Sequence, residues 1–234
     1  MSKKLIPGKD RIKRYLAYSL GEILLVVIGI LIAVQINNCN ESNKSRKNEH
    51  YILTEILSNL QQDGDQVQSI LRQRKITQAS IIRMAGYLNT PDEIVADTFS
   101  YDLAQMLTFE RYFPIRTSYE VAKVSGLKVS NKQLRSSIAN YYEYEQHSVQ
   151  TSLKDIESTF LNQFPAISTD HYFIEDYGTF VRLTDYKNPD FIESIQEILS
   201  FFIPNHSGTL RKLQEFEDVN ATIQEKVAVE LEEF

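Results

Sequence analysis

The chain has 234 residues, 42% of them hydrophobic and 24% charged, which is typical of a folded protein and unlike a disordered one. Its net charge of −6 disfavours nucleic acid as a partner, and its low glycine content (8 residues) disfavours a turn-rich all-β fold. Cys39 is the one cysteine, which excludes an intramolecular disulfide and leaves either a free thiol or a disulfide between two copies.

A basic N-terminal segment, residues 1–15, precedes the uncharged apolar run Ile23–Val34. Extended to Leu16–Ile36, the run contains one charged residue, Glu22. A helix of about 21 residues covers the hydrocarbon core of a bilayer, which is about 30 Å thick. We therefore predict a transmembrane signal anchor over residues 16–37, with the lipid bilayer as a partner.

The basic residues predict the orientation of this anchor. Lys and Arg are more frequent before the run than after it, where Glu41 and Glu49 also lie. This asymmetry places residues 1–15 in the cytoplasm and residues 38–234 outside it, as a periplasmic domain on a bacterial inner membrane. The alternatives are a cleaved signal peptide, which usually has a shorter apolar region, and a buried core helix, which would carry polar residues at helical spacing.

Small residues and one acid distinguish the predicted anchor. Gly21, Gly29 and Ala33 share one helix face, and small residues let membrane helices approach closely, so we expect self-association. Glu22 is costly within lipid. It is interpreted either as a coupling point to another membrane protein or to a proton or cation, or as a shallow carboxyl bonded to a neighbouring group.

Beyond the anchor, apolar residues recur every three or four positions, as in amphipathic helices. The pattern predicts a long helix over 41–89 and further helices over about 99–108, 118–126, 131–163, 189–202 and 207–232. The predicted fold class is all-α, with a single N-terminal transmembrane helix followed by an extracytoplasmic antiparallel helical bundle.

The ends of these helices follow from individual residues. Gly126 suits the left-handed position after a helix, and Ser130 or Asn131 is expected to cap the next one. Pro165 and Pro204 are predicted to end their helices. The aromatic residues 166–188 are predicted to be loop with short elements.

Several motifs resemble an uncharacterised family of single-pass inner-membrane proteins from Bacteroidetes-type bacteria, a domain of unknown function. They are the block GEILLVVIGILIAVQINN from Gly21 to Asn38 and the pairs Ser125-Gly126, Leu134-Arg135 and Tyr141-Tyr142. The chain departs from the family at Cys39, where tryptophan is more usual. The resemblance implies an inner-membrane location and a helical periplasmic domain, and it supplies no catalytic residues.

No motif in the chain predicts a metal, a cofactor or a catalytic residue. The four histidines are dispersed, and nucleophile elbows and phosphate-binding glycine loops are absent from the sequence. A group around His171, formed with Asp170, Glu175 and Asp176, is interpreted either as a cation site or, by preference, as a solvated loop.

The aromatic and basic segment Phe109–Tyr119 is the predicted external ligand site. Guanidinium groups and aromatic rings together bind anionic or glycan ligands through charge-assisted hydrogen bonds and stacking. The residues proposed for this role are Arg111, Tyr112, Arg116 and Tyr119. The alternative is an aromatic loop that closes the end of the bundle, with its arginines paired to Glu110 and Glu120.

These observations favour a membrane-anchored periplasmic helical module with a scaffold, interaction or sensor-like role. We expect it to be homo-oligomeric and without a catalytic site. The alternative is an envelope ligand-binding protein or enzyme with a site near residues 109–119.

Overall fold

The computed structural model describes residues 9–234, except the side chains of residues 9–12, 17, 166 and 168–170. Residues 1–8 of the predicted cytoplasmic tail therefore lie outside the described residues. The chain separates into two units, one ending at Tyr51 and the other spanning Ile52–Phe234.

Helices form most of the described chain, so the all-α class is confirmed. The helices are α1 Lys9–Tyr87, α2 Ala96–Met106, α3 Thr117–Val124, α4 Lys132–Asn140, α5 Gln146–His171 and α6 Pro189–Glu232. A 3₁₀ turn at Pro91–Glu93 and a π-helix at Tyr141–Glu145 lie between helices.

Helix α1 is longer than predicted. The predicted helix start at residue 41 was wrong, because α1 runs unbroken from Lys9 to Tyr87. Neither proline nor glycine occurs between Leu31 and Leu60, so nothing in the polar stretch after the apolar run interrupts the helix. Helix α1 contains a candidate membrane span by length and composition, and none of its most apolar window is buried.

Two internal prolines do not end their helices, and both of those predictions were wrong. Helix α5 continues through Pro165 to His171, and α6 continues through Pro204 to Glu232. A proline costs a helix about 3 kcal/mol. The flanking turns are held by buried side chains, Phe164 before the first proline and Phe202 and His206 around the second, and this burial offsets the cost.

The predicted helix 131–163 is divided by the π-helix. Asn131 caps α4, as one of the two predicted alternatives, by accepting hydrogen bonds from the amides of Gln133 and Leu134. Gly126 has the predicted left-handed conformation, with φ of 88°. The wider turn at Tyr141–Glu145 changes the direction of successive side chains, so Tyr141 and Tyr142 are both buried.

The segment expected to be loop contains a β-hairpin. Strands β1 Tyr172–Asp176 and β2 Phe180–Leu183 pair antiparallel, and Gly178 in the turn has φ of 74°. Tyr172 and Val181 point inward, while Phe173 and Phe180 are exposed. This alternation is the period-two signal that the aromatic composition of the segment obscured.

Two apolar cores lie along the unit Ile52–Phe234. The first joins residues 52–71 of α1 to 149–153 of α5 and 213–227 of α6. The second joins the end of α1, from Ile81 on, to α2, the later part of α5 and residues 191–202 of α6. Helices α1 and α5 therefore run in the same direction and α6 runs opposite to both.

Candidate functional site

A cavity of about 330 Å³ opens between the segment that follows α2 and one face of α5. The segment contributes Glu110, Arg111, Tyr112 and Phe113, and α5 contributes His147, Gln150, Thr151, Leu153, Lys154 and Glu157. Its volume is at the lower end of the range for small-molecule sites. The cavity thus contains part of the predicted ligand site together with a helix face that the prediction did not include.

Backbone contacts to α1 hold the segment in place. The side-chain amide of Gln66 donates to the Phe113 carbonyl at 3.0 Å and its oxygen accepts from the Phe113 amide at 2.8 Å. The Phe113 ring remains 68% exposed. The two-point attachment therefore fixes the backbone and presents the ring to solvent.

Glu110, one of the lining residues, forms an ion pair with a fully buried arginine. The Arg74 side chain is 0% exposed and pairs through Nε with Glu110, whose side chain is 22% exposed. Arg74 Nη2 also donates to Glu110 Oε1 at 3.0 Å and to the Thr108 hydroxyl at 2.5 Å. Burial raises the pKa of the Glu110 carboxyl, and the charge of Arg74 opposes that shift.

The rim of the cavity is a second ion pair. Arg111 donates from Nε to Glu157 Oε1 at 2.9 Å and from Nη2 to the same oxygen, and its guanidinium lies 5.4 Å from the centroid of the Phe109 ring. These hydrogen bonds lower the pKa of the Glu157 carboxyl. The ion pair connects the segment to α5, and the charges of the two residues neutralise each other.

The structure separates the four predicted ligand-binding residues. Arg111 and Tyr112 line the cavity, but Arg116 and Tyr119 do not. Arg116 donates to the Tyr142 carbonyl at 2.6 Å and lies 3.6 Å from Glu120, which is one of the two arginine pairings expected in the alternative interpretation. The other expected pairing, between Arg111 and Glu110, is absent from the described contacts of Arg111, because Glu110 pairs with Arg74 instead.

Tyr119 is engaged on both its ring and its hydroxyl. The hydroxyl donates to Glu143 Oε1 at 2.9 Å, and the ring stacks on Tyr142 at a centroid distance of 4.5 Å. Burial, together with the Glu143 carboxylate, raises the pKa of Tyr119 to about 12. Tyr119 is therefore a packing residue in this structure, and its predicted ligand contact stays untested.

Tyr112 lines the cavity, and the charge of a second buried polar group acts on it. Asp63 of α1 is 0% exposed. Its carboxylate accepts hydrogen bonds from the backbone amide of Ile115 at 3.0 Å, the Tyr141 hydroxyl at 3.0 Å and the side-chain amide of Gln146. Burial raises the pKa of Asp63 while these hydrogen bonds oppose the shift. Burial and the Asp63 charge also raise the pKa of Tyr112.

Sequence reasoning missed the α5 face of the cavity. Residues 147, 150, 151 and 154 are spaced i, i+3, i+4 and i+7, which places them on one face of a helix. That face carries His147 and Lys154 at its two ends. The spacing was available in the sequence, but only the fold shows that it faces the aromatic segment.

The predicted self-association residues lie on an exposed helix. Gly21, Glu22, Gly29 and Ala33 belong to α1 and are exposed. A Cβ built on Gly21 or on Gly29 would meet no atom within 4 Å apart from those of the adjacent residues and of the neighbouring backbone of the same helix. The face formed by these small residues is therefore open to a second helix.

Among the described residues, no three His, Cys, Asp or Glu side chains are grouped as metal ligands. The side chain of Asp170, which belongs to the group around His171 interpreted above as a cation site or a solvated loop, lies outside the described residues. His171 stacks on Phe191 with ring centroids 4.8 Å apart.

A family model described as a family of unknown function, DUF6090, matches residues 22–164, which include the apolar run Ile23–Val34 and both walls of the cavity. No curated protein matches the chain, and no solved structure matches it.

Proposed function

The chain belongs to DUF6090, a family of unknown function, and we propose that it is a membrane-anchored helical interaction module that self-associates through its anchor. On this proposal residues 16–37 span the inner membrane and residues 38–234 lie in the periplasm. The role is that of a scaffold or a sensor-like partner, without catalysis.

The observation that carries the proposal is the exposure of the apolar run. The large apolar side chains from Leu20 to Ile36 are exposed, including Leu24, Leu25 and Leu31 at 59%, 73% and 61%. Folded proteins in water rarely expose a contiguous apolar surface of this extent. A bilayer removes that surface from water, and the helix satisfies its own backbone hydrogen bonds there.

The open small-residue face supports the proposal of self-association. Membrane helices associate by close packing where glycine and alanine allow the backbones to approach. Gly29 and Ala33 are four residues apart, and the nearest turn of the same face continues to Leu25. Glu22 lies beside Gly21 and seven residues before Gly29, on the same side of the helix as this face. A second copy packed there would shield its carboxyl from lipid.

Light scattering on the full chain in mild detergent tests the self-association. The wild-type protein is expected as a dimer or larger oligomer, and Gly29→Leu is expected to shift it toward the monomer. Ile30→Leu, which changes the neighbouring position without filling the small-residue face, is the control. A wild-type monomer, or equal oligomer size in Gly29→Leu, would contradict the proposal.

A second candidate function is ligand binding outside the membrane. The observation that favours it is the cavity between Glu110–Phe113 and α5, which is open to solvent and lined by both aromatic and charged side chains. This role is compatible with a scaffold and adds a small molecule to its partners.

A further inference from the structure

The cavity contains an excess of positive charge once its ion pairs are counted. Glu110 is neutralised by Arg74 behind it, and Glu157 by Arg111 at the rim. Lys154 is the remaining charged residue of the lining, and it is exposed. It acts on Glu157 through charge alone and donates no hydrogen bond to it.

Three further polar side chains accompany Lys154 along the same wall. His147, Gln150 and Thr151 are exposed, and in the described part of the chain none of them forms a side-chain hydrogen bond. From residue 147 to residue 154 a helix rises about 10 Å. The wall therefore offers donors and acceptors over the length of a small polar molecule, with an ammonium at one end.

The opposite wall of the cavity carries two aromatic side chains. Phe113 presents an exposed ring on a backbone that Gln66 holds at two points, and Tyr112 closes the back of the cavity. A ligand with one polar face and one less polar face fits between the two walls.

We propose that this cavity binds a small hydroxylated monocarboxylate, such as a sugar acid, with its carboxylate on Lys154 and its hydroxyls along Gln150 and Thr151. The proposal rests on the ligand-binding role given above as the second candidate function, and it does not depend on the anchor. A dianion such as phosphate fits less well, because among the described lining residues Lys154 is the single cation that is not already in an ion pair, and a second negative charge would stay unpaired.

Two substitutions should change the affinity in opposite directions. Lys154→Gln removes the charge-assisted hydrogen bond and is expected to weaken binding about 10-fold or more. Glu157→Gln removes the carboxylate that neutralises Arg111 and leaves a second cation at the rim for the ligand, so it is expected to tighten binding about 3-fold. Lys226→Gln, an exposed lysine of α6 outside the cavity, is the matched control and should leave the affinity unchanged.

The experiment is a ligand-observed NMR titration of the full chain in detergent, with D-glucuronate, D-glucose and inorganic phosphate as probes. Thermal melting of each variant checks that it is folded. The expected result is that glucuronate binds more tightly than glucose and phosphate and that the two variants move its affinity in opposite directions.

Equal binding of glucose and glucuronate would overturn the role of Lys154, and tighter phosphate binding would overturn the choice of a monocarboxylate. Failure of wild-type protein to bind glucuronate at millimolar concentration would overturn the proposal. Because the oligomeric state of the same sample is measured by light scattering, a failure of ligand binding is distinguishable from a failure of the anchor proposal.

Discussion

Residues 13–36 and the interior of Ile52–Phe234 both depart from the usual arrangement, in which apolar side chains are buried and polar side chains are exposed. The first region exposes leucine, isoleucine and valine, whereas the second encloses Asp63, Arg74 and His206 at 0% exposure. The exposed apolar helix is stable if lipid surrounds it. The buried polar groups are stable because each meets a partner inside the protein.

The degree of burial of a residue therefore does not by itself show which residues form specific polar interactions. Nothing in the described part of the protein covers the side chains of the apolar helix, so a surrounding medium has to remove them from water. The environment of this helix can therefore be inferred from its composition. In the interior, the hydrogen bonds are specific and join elements distant in sequence, so they depend on the fold. Substitutions in the interior are therefore expected to cause the largest losses of stability.

Asp63→Leu is expected to lower the free energy of unfolding by about 4 kcal/mol. The substitution leaves the Ile115 amide, the Tyr141 hydroxyl and the Gln146 amide without their acceptor, and each unpaired buried donor costs about 1–3 kcal/mol. Chemical denaturation of the full chain in detergent measures the change.

Asp65→Leu is the control for that prediction, because Asp65 lies on the same helix and is exposed. A loss within about 0.5 kcal/mol is expected there. Equal losses in the two variants would mean that the buried group does not hold the elements together.

Arg74→Met is expected to cost about 3 kcal/mol, because it leaves Glu110 without the cation that neutralises it. The double variant Arg74→Met with Glu110→Leu should recover part of this loss, since both charges are then replaced by apolar groups. A double variant less stable than the single one would show that the pair stabilises the fold beyond compensating its own charges.

His206 should make stability fall by about 2 kcal/mol between pH 7 and pH 5. Burial and the charge of Arg74 lower the pKa of His206 to about 3 from the usual 6.5. The unfolded chain therefore takes up a proton below pH 6.5 that the folded chain does not, and stability is lost as the pH falls toward 3.

The comparison variant for the pH effect is His206→Gln, which keeps a donor for Gln78, the 2.7 Å partner of His206 Nδ1. Unfolding measured at both pH values should show a smaller pH dependence in the variant. An unchanged dependence would show that His206 is not the group responsible. Asp63 and Glu110 would not account for it either, because burial raises their pKa values and the folded state then gains stability as the pH falls.

Much of the fold follows from local sequence rules, because helix periodicity and caps are local. Asn131 caps α4 and Gly126 ends α3 as their chemistry requires. The rules failed where tertiary burial outweighed local preference, at Pro165 and Pro204, and where an aromatic segment concealed the alternation of the hairpin.

The candidate site was predicted less completely, because its two walls are about 40 residues apart in the sequence. The aromatic and basic composition of 109–119 drew attention to Arg111 and Tyr112, which do line the cavity. It did not reveal that Arg116 turns to the Tyr142 carbonyl. Nor did it indicate Lys154, whose role depends on which helix face meets the segment.

The most direct test of the central claim is alkaline carbonate extraction of membranes from cells that express the full chain, followed by intact mass measurement. The chain is expected to stay in the membrane pellet at its uncleaved mass of 27.1 kDa. Release of the chain into the supernatant, or a mass that lacks the apolar run, would contradict an uncleaved membrane anchor.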